Sequence, residues 1–212
     1  LETAMQQKGY LDGTRMAAAF NMLRAGDLIW PYVVNNYMRG KDPLPFDLLY
    51  WNADSTRMAA ANHSYYLRNC YLDNTLSQGK MKLAGKTLSL SDVKIPVYNL
   101  ATKEDHIAPA RSVFLGSRFF GGDVEYVLTG SGHIAGVVNP PKSGKYQFWT
   151  GGKPVGDMED WFATATETPG SWWPHWQSWI LALDDRKKKA RKPGKGVNTL
   201  GDAPGTYVKV RV

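Results

Sequence analysis

The sequence predicts an α/β fold, with a parallel βαβ unit in the second half of the chain and a mainly helical region before it. Two short apolar runs, at residues 95–101 and 124–129, flank a helical stretch at residues 109–120. Two strands joined through a helix by short connections lie parallel in one sheet. A polar cluster follows each run, so we expect both clusters at the edge of the sheet where α/β proteins bind their ligands.

The first 90 residues carry mostly helical signals. Asp27 is expected to cap a helix that continues to Met38, because an aspartate side chain accepts hydrogen bonds from the first turn of a helix. A longer helix is expected over residues 57–76, where apolar side chains recur near helical spacing. The segment at residues 81–90 predicts a small hairpin around Gly85.

The segment after the βαβ unit combines loops and helices. Residues 141–155 are expected to be irregular, helices are expected at 157–167 and 171–183, and residues 207–212 are β-like. The second of these helices carries four tryptophans at nearly helical spacing, a pattern more typical of packing than of stacking on a substrate. They are Trp172, Trp173, Trp176 and Trp179.

The positive charge of the chain is concentrated in one run. The formal net charge is +7, and residues 186–196 contain seven basic residues and no acidic one, so the rest of the chain is balanced. Such a run near a terminus is expected to be a solvated tail, but nucleic-acid binding through residues 186–195 stays open as an alternative. No stretch of eighteen apolar residues occurs, so we expect no transmembrane segment.

Asp105 and His133 are the candidate catalytic residues. Asp105 follows the first predicted strand and His133 follows the second, which is the order in which α/β-hydrolases complete a catalytic triad. In such a triad the carboxylate holds the imidazole in one tautomer, and the other ring nitrogen removes the proton of the nucleophile. Gly130 and Gly132 are expected to give the histidine loop its tight turn.

The nucleophile of such a triad is missing from the chain. No Gly-x-Ser-x-Gly or Gly-x-Cys-x-Gly elbow precedes Asp105. Cys70, the single cysteine, has a helical context without flanking glycines and is interpreted as a structural thiol, while Ser131 is interpreted as part of the turn. His106 is interpreted as a solvated or core-packed imidazole. One cysteine cannot form an internal disulfide, and a reducing cytoplasm is the default location.

Five longer motifs follow one another along the chain. They are PFDLLYWNAD from Pro45, YLRNCYL from Tyr66, KEDHIAP from Lys103, GSGHIAGVVNPP from Gly130 and GSWWPHW from Gly170. Together they closely resemble the carboxyl-terminal catalytic portion of class I polyhydroxyalkanoate (poly-3-hydroxybutyrate) synthases. The resemblance covers residues 6–212, which is essentially the whole chain.

The resemblance implies a partial α/β-hydrolase fold, in which a parallel βαβ unit carries the Asp and His of the triad and a mainly helical cap subdomain precedes it. Such enzymes transfer acyl groups from (R)-3-hydroxyacyl-CoA to a growing polyester chain and release CoA. By resemblance, Asp105 and His133 are catalytic, and the nucleophilic cysteine lies in an upstream segment, so this chain alone is expected to be inactive. Asp105 either orients His133 or helps to activate the 3-hydroxyl of the bound acyl unit, and the sequence leaves both roles open. No cofactor or metal is implied, since acyl-CoA is the substrate.

The resemblance also implies an organisation into three parts. The cap subdomain is expected at residues 1–92, the second half of the core at 93–185 and the basic tail at 186–212. Family members form homodimers through the cap and act in the cytoplasm at the surface of polymer granules. Trp51 is a candidate for lining the cap, although a structural role is the favoured interpretation. Class I enzymes prefer short acyl chains.

A noncatalytic role remains the alternative interpretation. In that case the chain is an interaction module, whose cap and basic tail bind a partner or a polymer granule. Loss or retention of turnover after replacement of Asp105 or His133 in the full-length protein separates the two interpretations.

Overall fold

The computed structural model describes residues 2–23, 25–43, 45, 56–192, 194–196 and 198–210. The chain has a mixed α/β fold and divides into two compact units, Leu1–Leu72 with Arg191–Val212, and Asp73–Ala190. The division into a cap, a core and a basic tail that the resemblance implies stays a prediction. None of the helices in the described ranges has the length and apolar character needed to cross a membrane.

The first unit is built from short helices. They are α1 (Glu2–Gln6), α2 (Gly13–Leu23), α3 (Ala25–Leu28), α4 (Trp30–Tyr32) with a π-helical continuation (Val33–Met38), and α5 (Ala60–Tyr66) with a second π-helical continuation (Leu67–Leu72). The prediction that Asp27 caps a helix to Met38 is wrong, because Asp27 lies inside α3 and a new helix begins after Ile29. Pro31 explains the break, since proline is accommodated only in the first turn of a helix.

The helix expected at residues 57–76 is shorter than predicted. It extends from Ala60 to Leu72, including its π-helical part. Asn74 follows with a φ of 45°, a left-handed conformation that an α-helix does not contain. The helical pattern of apolar residues therefore continues beyond the point at which the backbone leaves the helix.

The predicted hairpin is confirmed at the start of the second unit. Strand β1 (Met81–Leu83) pairs antiparallel with β2 (Lys86–Leu88). Ala84 and Gly85 connect them with φ values of 48° and 78°, as in the two-residue turns whose twist matches that of the strands.

The predicted βαβ unit is also confirmed. Strand β3 (Val97–Thr102), helix α6 (Ala110–Ser117) and strand β4 (Val124–Thr129) follow one another, and the two strands are parallel. Their register pairs Val97 with Val124 and Thr102 with Thr129, so both strands end at the same level.

Two strands that the sequence did not predict extend this sheet. Strand β5 (Gln147–Thr150) pairs antiparallel with β4, and β6 (Thr166–Pro169) pairs antiparallel with β5. The expectation of irregular structure at 141–155 is therefore wrong in part. The helix expected at 157–167 is α7 (Met158–Thr164), which ends where β6 begins. Both strands form because their backbones pair with a neighbouring strand, and the local sequence pattern alone does not predict them.

Helices cover both faces of the four-stranded sheet. On one face Tyr126 packs against Phe114 of α6 and Trp161 of α7. On the other face the predicted helix at 171–183 is confirmed as α8 (Trp173–Leu183), and its Trp179 contacts Tyr98 edge-on. The tryptophans of this segment take part in packing, as the sequence indicates.

The carboxyl-terminal segment does not form the predicted strand. Residues 184–192 are exposed and belong to neither a helix nor a strand. Residues 207–209 form one turn of 3-10 helix (Tyr207–Lys209), and residues 211–212 lie outside the described ranges. The apolar alternation at 207–212 has no strand partner among the described residues, and a strand needs one.

Candidate active site

Two loops meet beyond the carboxyl ends of β3 and β4. The amide of Lys103 donates to the carbonyl of Thr129 over 2.8 Å, and the amide of Glu104 donates to that of Ser131 over 3.0 Å. The parallel backbone pairing therefore continues past the strand ends and ties the two loops together. Asp105 lies on the first loop and His133 on the second.

The carboxylate of Asp105 accepts hydrogen bonds on both oxygens. Oδ1 accepts from the amides of Ile107 (2.8 Å) and Ala108 (2.9 Å). Oδ2 accepts from the hydroxyl of Thr102 (3.3 Å) and from Nδ1 of His133 (2.7 Å). Only 7% of the Asp105 side chain is exposed, so these four donors replace water around the charge.

The pKa of Asp105 follows from this environment. Burial by itself favours the neutral acid and raises the pKa. The hydrogen bonds from the amide of Ala108, from His133 and from the amide of Ile107 outweigh burial and lower the pKa from 3.8 to about 2. Asp105 is therefore ionised at neutral pH.

His133 has one engaged and one available ring nitrogen. A carboxylate only accepts hydrogen bonds, so Nδ1 carries the proton in the bond to Asp105 and Nε2 holds a lone pair. The His133 side chain is 45% exposed, and the described residues provide no hydrogen bond to Nε2. The pair can thus accept a proton at Nε2 while the carboxylate stabilises the imidazolium that forms.

The glycine that the histidine loop requires is not one of the two expected from the sequence. Ser131, between Gly130 and Gly132, adopts the left-handed conformation with a φ of 72°, and neither of these glycines has a positive φ. A Cβ atom on Gly136 would lie 2.6 Å from the Thr102 methyl carbon and 2.7 Å from the Gly130 carbonyl oxygen. Gly136 therefore lies against Thr102 at the end of β3, where a side chain has no room.

The start of α8 contacts the same loop, a feature that sequence reasoning missed. The indole N–H groups of Trp172 and Trp173 both donate to the carbonyl of Val137, over 3.1 and 3.0 Å. No spacing rule links residues 35 and 36 positions apart, so the sequence offers no signal for this contact.

The other candidates lie apart from this pair or have no chemical role in it. Ser131 is part of the turn, as interpreted, and His106 is exposed. Cys70 is half-buried in the π-helical part after α5, without the strand-to-helix turn of a nucleophile elbow. Trp51 lies outside the described residues, together with most of the motif that begins at Pro45. Within the described ranges, no three His, Cys, Asp or Glu side chains cluster as metal ligands do.

Known proteins with a similar sequence share one description. The chain is 69% identical over its whole length to the poly(3-hydroxyalkanoate) polymerase subunit PhaC of Rhizobium meliloti and 62% identical to the poly(3-hydroxyalkanoate) polymerase of Methylorubrum extorquens. It is 38% identical, over 95% of its length, to the polymerase subunit PhaC of Cupriavidus necator. No protein-family model matches the chain.

The match covers only part of each relative. The chain corresponds to 34% of the Rhizobium meliloti protein, 35% of the Methylorubrum extorquens protein and 35% of the Cupriavidus necator protein. It therefore spans about a third of the length of the curated relatives, within their carboxyl-terminal portion.

Proposed function

Because this chain belongs to the poly(3-hydroxyalkanoate) polymerase family, we propose that it supplies the histidine and aspartate of an acyl transfer that builds a polyester from (R)-3-hydroxyacyl-CoA and releases CoA. The observation that carries the proposal is the 2.7 Å hydrogen bond between His133 Nδ1 and Asp105 Oδ2 at the carboxyl ends of two parallel strands. The acyl-CoA is substrate, and no cofactor takes part in the proposed chemistry.

His133 acts as the general base of this reaction. Its Nε2 takes the thiol proton of a cysteine in the segment upstream, and the thiolate attacks the carbonyl carbon of the acyl thioester. A bond forms between the cysteine sulfur and that carbon, the bond from the carbon to the CoA sulfur breaks, and the imidazolium returns its proton to the CoA thiolate. The chain has no nucleophile elbow of its own, so by itself it is inactive.

Asp105 orients His133 rather than acting on the 3-hydroxyl of the substrate. Both of its oxygens already accept two hydrogen bonds each, and its side chain is almost fully buried. A substrate hydroxyl would have to displace one of these donors. The donor set thus supports a role in fixing the tautomer and stabilising the imidazolium.

Residues 1–92 act as the cap of the longer enzyme and as its dimer surface, and residues 1–72 of this cap belong to the first unit. Several large apolar side chains of this unit are exposed, which supports a surface that associates with other protein or with polymer. They include Met22, Leu23, Tyr37 and Met38. We place the enzyme in the cytoplasm at the surface of polymer granules.

Replacement of the two residues in the full-length enzyme tests the proposal. We expect His133→Ala to abolish CoA release, and Asp105→Asn to lower kcat by about 10³- to 10⁴-fold because the wrong tautomer then faces the nucleophile. Cys70→Ala serves as the matched control and leaves turnover unchanged. Full turnover in His133→Ala would reject the proposal and favour a noncatalytic interaction module.

A further inference from the structure

The loop that carries His133 is held from two sides. On one side Asp105 binds the imidazole, and on the other the indole N–H groups of Trp172 and Trp173 converge on the carbonyl of Val137. We propose that this tryptophan pair is a positioning device, which keeps the His133 ring in the orientation that presents Nε2 to the nucleophile. The inference rests on the proposed function of His133 as general base.

Besides the bond from the amide of Glu104 to the carbonyl of Ser131 and the close approach of Gly136 to Thr102, the loop keeps its shape mainly through local contacts. Its residues are linked by short-range backbone bonds, from the amide of Gly136 to the carbonyl of Gly132 and from the amide of Val138 to that of Ile134. Ile134 and Val138 are 68% and 62% exposed, so they bury little apolar surface. Val137 lies four residues after His133 in the same turn, and its carbonyl is therefore an effective point at which to fix the loop.

Trp172 is itself packed against the sheet, and Trp173 contacts the Trp172 ring edge-on. The ring of Trp172 stacks on Tyr98 of β3 with 5.9 Å between centroids and an angle of 29°. The hydroxyl of Tyr98 lies 2.9 Å from Nδ1 of His175, one turn into α8. The start of α8 is thus anchored to the first strand of the site, and the N–H groups have a defined direction.

The convergence of two indole N–H groups on one carbonyl oxygen indicates a contact that has more than a packing role. The carbonyl oxygen of Val137 accepts from both indoles and, over 3.1 Å, from the amide of Asn139. Packing of the two rings alone would not require both N–H groups to point at the same oxygen atom. Since Phe keeps most of the ring and removes the N–H group, Trp→Phe variants separate positioning from packing.

Trp176 offers a matched control on the same helix. Its ring contacts Trp172 with 6.0 Å between centroids, and its side chain is 40% exposed. None of the described residues accepts a hydrogen bond from its indole N–H. Trp176→Phe therefore removes an indole of the same cluster without removing a bond to the histidine loop.

The test compares Trp172→Phe, Trp173→Phe, the double variant and Trp176→Phe in the full-length enzyme. We expect the double variant to lower kcat for CoA release roughly 10- to 100-fold, as misplacement of a catalytic group does, with KM unchanged. We also expect the acidic limb of its kcat–pH profile to shift, because protonation of the general base sets that limb, and the downfield NMR signal of the His133 Nδ1 proton to broaden. Each single variant keeps one of the two indole donors, so its kcat is expected to lie between those of the parent and the double variant. The kcat of Trp176→Phe is expected to equal that of the parent.

Two results would overturn the inference. One is a double variant with unchanged kcat and an unchanged His133 proton signal, and the other is an equal loss of kcat in Trp176→Phe, which would indicate general packing. If the double variant does not fold, the single variants and their NMR signals decide. His133→Ala is measured in parallel. If that variant keeps full turnover, the proposed function itself is wrong; if it loses turnover while the double tryptophan variant does not, only the present inference is wrong.

Discussion

Gly136 brings the histidine loop against the end of β3. A Cβ atom at this position would overlap the Thr102 methyl group and the carbonyl oxygens of Gly130 and Gly132, at 2.6, 2.7 and 3.0 Å. Two of these three atoms belong to the backbone and cannot rotate away. The loop therefore has no room for a side chain at residue 136 in this conformation.

Gly136→Ala is expected to destabilise the protein by about 1–3 kcal/mol, because the added methyl group forces the loop away from β3. Gly116→Ala is the contrasting variant, since nothing lies within 4 Å of its Cβ position in α6 and alanine has the higher helix propensity. Urea unfolding measures both. A Gly136→Ala protein as stable as the parent would show that the loop adapts without cost.

Asp105 links stability to pH through its low pKa. The folded-state pKa of about 2 lies below the ordinary value of 3.8, so ionised Asp105 stabilises the fold above pH 4. As pH falls from about 4 to about 2, the parent is expected to lose this contribution, while Asp105→Asn has none to lose. Unfolding free energies of both proteins over this range check the difference in slope, and parallel curves would contradict it.

Helix α8 is joined to the sheet by polar as well as aromatic contacts. His175 lies between Tyr98 of β3, which its Nδ1 meets at 2.9 Å, and Glu125 of β4, which lies 3.7 Å from its Nε2. Burial raises the pKa of Glu125, and His175 partly offsets this. Burial, and to a lesser extent Glu125, also raises the pKa of Tyr98, which therefore remains neutral and able to donate its hydroxyl proton.

Tyr98→Phe tests how much this junction contributes. The substitution keeps the aromatic packing and leaves Nδ1 of a partly buried histidine without its partner, so we expect a loss of about 1 kcal/mol in the free energy of unfolding. Tyr71→Phe is the control, because its hydroxyl pairs with that of Tyr66 at an exposed position. Equal stabilities of the two variants would argue against the junction.

The elements that the sequence predicts are those whose signals are local. The apolar runs at 95–101 and 124–129 predict two buried parallel strands, and their equal ends predict that Asp105 and His133 meet. Strands β5 and β6 have only four residues each, and β6 lacks apolar alternation, so only pairing with β4 and β5 defines them. The contact of the tryptophan pair with Val137 depends on tertiary structure alone, and no pattern in the chain predicts it.

At the level of the whole chain, the proposed function assigns to it one part of a reaction centre. The second unit holds the hydrogen-bonded pair of Asp105 and His133, and the sequence supplies no elbow for a nucleophile. Two relatives about three times as long are 69% and 62% identical to the chain over its whole length. In the proposed reaction, this chain therefore supplies the residues that transfer protons, and the upstream segment supplies the nucleophile.

We expect no CoA release from this chain alone, because proton transfer without a nucleophile forms no acyl-enzyme. Co-expression with an upstream portion of the enzyme that carries a Gly-x-Cys-x-Gly elbow is expected to restore turnover, and His133→Ala in the present chain to abolish it again. A thiol assay of CoA measures both. Turnover by this chain without that portion would disprove the division of roles, and Cys70→Ala would then identify the thiol responsible.

The sheet order β3-β4-β5-β6 has a consequence for handling the protein. Within the described ranges β3 pairs with β4 alone, so its other edge has no strand partner there, although helices pack on both faces of the sheet. An unpaired edge of this kind recruits strands from other molecules. At high concentration this chain is therefore expected to self-associate into β-rich aggregates. Its solubility, rather than the stability of its fold, is then expected to limit the concentration at which it can be assayed.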